Sequence, residues 1–163
     1  MSFSRSNEEM AVRDALALEI KGAFERAQLG VHYGRYPEMP CCVLTAYQNY
    51  GHGWQRRILV CITDEGTCNV HMTPLYDLPK GTTGDQIDVG RVPLLFTLPR
   101  ATPNLGEELL RRVREASIHS TETAPSRVIP PPEPPIAVEQ FETLADLIDA
   151  YQRYYFCEAY SNL

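Results

Sequence analysis

Cys61, Cys68 and His71 fall together in the stretch CITDEGTCNVH and carry the chain's best hint of metal chemistry. Two thiolates and an imidazole suit zinc. The stretch has no CxxC pair, however, and it reads as two strands joined by the turn Asp64-Glu65-Gly66. Side chains alternate along a strand, so Cys68 and His71 should point to opposite faces. Neither a metal nor any other cofactor is expected.

Nucleophilic chemistry would need a thiol beside a base, and such partners can be distant in sequence. The candidates are Cys41, Cys42 or Cys157 with His32, His52 or His71. No GxSxG elbow, GKS/T phosphate loop or HExxH helix supports an enzyme. The carboxylate pairs have structural uses: Glu107-Glu108 opens a helix, where the dipole favours negative charge, and Asp64-Glu65 occupies a tight turn. No catalytic residue is assigned. A small Cys/His-dependent hydrolase or transferase is the alternative reading.

Binding chemistry is better represented. Tyr50 and Trp54 flank the turn sequence GHG, with Arg56 just beyond. Aromatics beside arginine can stack nucleic-acid bases, but Arg56 and Arg57 alone cannot supply the broad positive groove such binding uses. The formal net charge of −6 argues further against direct nucleic-acid or anionic-membrane binding. Trp, Tyr and Arg also dominate the energetics of protein–protein contacts. Tyr50, Trp54 and Arg56 are therefore expected to touch another protein.

These residues must be positioned by an α+β fold. Ser6 to Glu9 has capping-box spacing, and Val12, Leu16, Ile20 and Phe24 make an apolar stripe for a helix over residues 7–29, stopped by Gly30. Strands follow over 41–48, 54–63 and 67–73, joined by short glycine-bearing turns into an antiparallel meander. ILVCI is apolar on both faces and marks the central strand. Residues 74–90 read as loop. A fourth strand covers 91–98, with Pro93 placing it at an edge or a bulge. A second helix runs from Thr102 to Ile118, with outward pairs Glu107–Arg111, Glu108–Arg112 and Arg111–Glu115. Together these elements make one domain over 1–118.

Residues 119–137 form a Pro-rich linker whose PPPEPP run favours the extended polyproline conformation. A C-terminal amphipathic helix over 138–163 is expected to dock on the same domain through Phe141, Leu144, Ile148 and Tyr151. Glu139, Glu142, Asp146 and Asp149 align on its other side as an acidic stripe, and Tyr154 joins them as a candidate contact. Acidic residues outnumber basic ones ten to five in 101–163 but only eleven to ten in 1–100. The partner would thus be a protein with a basic surface, a second copy of the chain being another candidate. The five cysteines, an odd count, suit reduced thiols in the cytoplasm. No apolar run approaches the roughly 20 residues that span a bilayer. The expected function is that of a non-enzymatic binding module: an acidic inhibitor, an immunity-type protein or a chaperone-like protein. A structural subunit of a larger assembly is a third reading.

Overall fold

The run from Gln55 to Ile62 is buried at every position, as ILVCI requires of a strand covered on both faces. The computed structural model describes residues 7–34, 41–82, 87–88, 92–124 and 127–128. In chain order it contains α1 (Asn7–Arg26), β1 (Gly30–Gly34), β2 (Cys41–Gly51), β3 (Trp54–Thr63), β4 (Cys68–Met72), β5 (Tyr76–Asp77), β6 (Ile87–Asp88), β7 (Leu94–Leu98), α2 (Leu105–His119) and β8 (Arg127–Val128). The main sheet is antiparallel, in the order β1-β2-β3-β4-β7, so β3 stands at its centre. β5 pairs with the start of β3 and extends the line of β4 past the break at Thr73-Pro74. Among the described residues the class is α+β, with two helices and six strands in the main sheet.

One face carries the core. Cross-strand rows run Cys42–Ile62–Cys68–Leu98, Leu44–Val60–Val70–Phe96 and Ala46–Ile58–Met72. Ala17, Ile20 and Phe24 of α1 and Leu105, Leu109, Leu110 and Val113 of α2 pack on these rows. At roughly 25 cal/mol per Å² of apolar surface removed from water, each large side chain here contributes about 1.5–3 kcal/mol.

Several sequence expectations are corrected. The inward stripe of α1 is Arg13, Ala17, Ile20 and Phe24, while Val12 and Leu16 are only half-buried. The arginine at its head reaches Asp64 in the β3–β4 turn, 3.4 Å away. The helix ends at Arg26, and the left-handed stop falls at Gln28 rather than Gly30. Gln28 takes the left-handed conformation (φ 62°), and Leu29 N donates to Phe24 O while Gln28 N donates to Glu25 O. These two bonds close the last turn, which leaves Gly30 free to open β1. β1 itself is a strand that the sequence reading missed. Its Val31 and Tyr33 pack against the core, and the Tyr33 hydroxyl donates to Asp14 of α1. β5 and β6 lie within the stretch read as loop.

The second helix begins at Leu105, after a turn in which Thr102 N donates to Pro99 O. Glu108 pairs with Arg112 as expected, and Arg111 pairs with Glu115. Glu107 instead crosses to Arg26 of α1, and Arg111 also holds Glu108. The two arginine hydrogen bonds bring the Glu108 carboxyl down to about 2. Part of the expected linker is tied back: Leu75 N donates to Glu122 O, Ala124 N to Leu75 O, and β8 pairs with β6. The expected C-terminal helix lies outside the described residues.

Where α1 meets α2, a Cβ added at Gly106 would lie 3.0 Å from both the Ala23 Cβ and the Glu19 carbonyl oxygen. Helix propensity alone favours alanine over glycine by about 1 kcal/mol. The opposing groups are helix backbone and a buried methyl, neither of which can swing aside, and overpacking costs roughly 1–3 kcal/mol. Gly106→Ala is therefore expected to lose about 1 kcal/mol in a urea titration. A stabilised variant would show that the two helices can separate at little cost.

Candidate protein-binding surface

A two-residue turn joins β2 to β3. Gly51, His52 and Gly53 all have positive φ (82°, 54° and 83°), and the two central residues, His52 and Gly53, give the turn that matches the twist of a hairpin. A Cβ at Gly53 would lie 2.9 Å from Asp77 Oδ1, so that carboxylate would have to shift to admit it. The Gly53 carbonyl accepts from Leu78 N, so the tip is braced by the segment following β5.

Tyr50 and Trp54 leave this tip 47% and 39% exposed. Arg56, expected as a contact residue beside them, is instead completely buried. Gln48 and Arg56 are register partners, and both face the C-terminal end of α2. Arg56 Nη1 donates to Ser117 O at 3.1 Å, and Nη2 donates to Ser120 O. The last carbonyls of a helix lack partners within it and form the negative end of its dipole, so a guanidinium fork answers both needs. Arg56 Cζ lies over the Tyr50 ring, 5.8 Å from the ring centroid, and the Tyr50 hydroxyl donates to Gln48 Oε1 at 2.9 Å. The ring is thus held near a buried cation while remaining half-exposed. Ile118, 77% exposed, belongs to the helix end that Arg56 ties down.

Arg57 points to the opposite face, is buried, and donates to Ile87 O at 2.9 Å. Sequence reasoning missed the burial of both arginines. A signal was available: consecutive residues of a strand face opposite ways, and ILVCI already showed both faces to be covered.

Among the described residues, Cys68 and His71 are not brought together, and Cys157 lies outside the described residues. Cys68 lies on the helix-covered face, in the row with Ile62 and Leu98. His71 lies on the other, paired with Leu59, its Nδ1 3.3 Å from Val92 O. Cys42, Cys61 and Cys68 are all buried. Burial, with a smaller contribution from the negative charge of Glu19, pushes the Cys68 thiol up to about 12, the opposite of activation. Among the described residues, no three His, Cys, Asp or Glu side chains are grouped as a metal site, and no helix is long and apolar enough to cross a membrane. Glu139, Glu142, Asp146, Asp149 and Tyr154 lie outside the described residues.

Comparison with protein-family models, curated proteins and solved structures found no match for this chain.

Proposed function

We propose that the chain is a non-enzymatic protein-binding module that presents Tyr50 and Trp54 to a partner. The supporting observation is an exposed aromatic pair on a braced hairpin tip, with Tyr50 in cation–π reach of a buried, doubly hydrogen-bonded arginine. Rigid aromatics lose little conformational freedom on contact, which is why they carry much of the energy of interfaces. An acidic inhibitor, an immunity-type protein and a chaperone-like protein all fit this mode. The acidic residues Glu139, Glu142, Asp146 and Asp149 would add steering toward a basic partner.

A photoreactive amino acid placed at position 54 in the source organism tests this reading. Position 18 is the control, because Leu18 is exposed on α1, away from the tip. A defined adduct formed from position 54 and not from position 18 is expected. Equal yields from both positions would remove the tip from consideration.

A further inference from the structure

Among the described residues, β7 forms the edge of the sheet opposite β1. Its register with β4 shifts between Val70 and His71: Phe96 opposes Val70, Leu94 opposes His71, and Leu95 is the extra residue. Such a bulge turns two successive side chains toward one side. Leu95 and Phe96 accordingly both line an open groove of about 410 Å³ against α2, together with Arg111, Arg112, Glu115 and His119. Leu94 and Leu95 are 56% and 38% exposed. Edge strands are blunted by charge, proline or a bulge; LLFTL has the bulge at Leu95 and is bracketed by Pro93 and Pro99, but carries no charge along its length.

The rim carries both signs. Arg111 is shared by Glu108 and Glu115, while Arg112 holds Glu108 and covers the Phe96 ring at 5.6 Å. A strongly acidic or basic partner would find this rim close to neutral. A surface with cations and carboxylates side by side complements itself across a two-fold axis, and antiparallel pairing of two identical strands has that symmetry. We infer that β7 and its groove are a self-association surface, on which a second copy of the chain pairs β7 with β7, setting its Leu95 over the groove and its Leu94 on the opposite face of the joined sheet. Five residues per edge make a small interface, so association should be weak and concentration-dependent.

Sedimentation equilibrium of the full chain from low to high micromolar concentration tests this. The weight-average mass is expected to climb from the monomer toward the dimer. Leu94→Lys and Leu95→Lys should each weaken the association at least tenfold while the melting curve is retained, and Trp54→Ala should leave it unchanged. A wild-type chain that stays monomeric throughout would overturn the inference. So would a dimer that both lysine variants preserve, or one that Trp54→Ala dissolves, since the contact would then lie elsewhere.

Discussion

Arg56→Ala is expected to lower stability by about 3 kcal/mol, equivalent to a fall in melting temperature of roughly 10 °C. The substitution strips the C-terminus of α2 of two charge-assisted hydrogen bonds, to Ser117 O and Ser120 O, and leaves a cavity beneath Tyr50. Each such bond is worth roughly 1.5–3 kcal/mol, and a buried carbonyl left without a donor carries its full desolvation cost. Arg56→Lys should recover part of the loss, because an ammonium keeps the charge but cannot fork to two carbonyls in fixed geometry. The exposed Arg100 serves as control, and its alanine variant should stay within about 0.5 kcal/mol of the parent. A loss below about 1 kcal/mol for Arg56→Ala would mean that the helix end is held by other contacts.

The second large effect is an alkaline one. Burial, and secondarily Glu19, raises the Cys68 thiol from its ordinary 9.0 to about 12. The folded state therefore binds this proton more tightly than the unfolded state does. The resulting stability is present in full below pH 9 and is lost as pH rises from 9 toward 12. At 1.36 kcal/mol per unit, the loss amounts to about 3 kcal/mol between pH 8 and pH 11. Cys68→Ala removes the titrating group as well as some packing, so the comparison rests on slope rather than on absolute stability. Urea midpoints of the parent should fall more steeply with pH over this range than those of the variant. Parallel slopes would show that the thiol ionises without opening the core.

What the sequence made legible follows its periodicities. Two-faced apolar content located β3 at the centre of the sheet, glycine-bearing turns gave the meander, and Pro93 led to the edge position of β7. β1 escaped because GVHYG is short, glycine-flanked and only half apolar, so its pairing with β2 rather than its own pattern makes it a strand. Arg13, Arg56 and Arg57 escaped for a different reason. A charged residue signals solvent by type, and only the register and the neighbouring helix end show that its partner is a carbonyl or a carboxylate inside the fold. At the candidate site the aromatics were found by residue type and turn context. The clamp beneath them depends on contacts between residues more than sixty positions apart, which no local pattern encodes. The acidic C-terminal stripe lies outside the described residues.

The central claim, that the hairpin tip is a protein-contact surface, meets its most direct test in the affinity of Trp54→Ala for the partner captured at position 54. Removing a central interface aromatic should cost at least 1–2 kcal/mol of binding, a weakening of about tenfold or more, while the melting temperature stays within a few degrees of the parent. Unchanged affinity in a fully folded Trp54→Ala would contradict the claim.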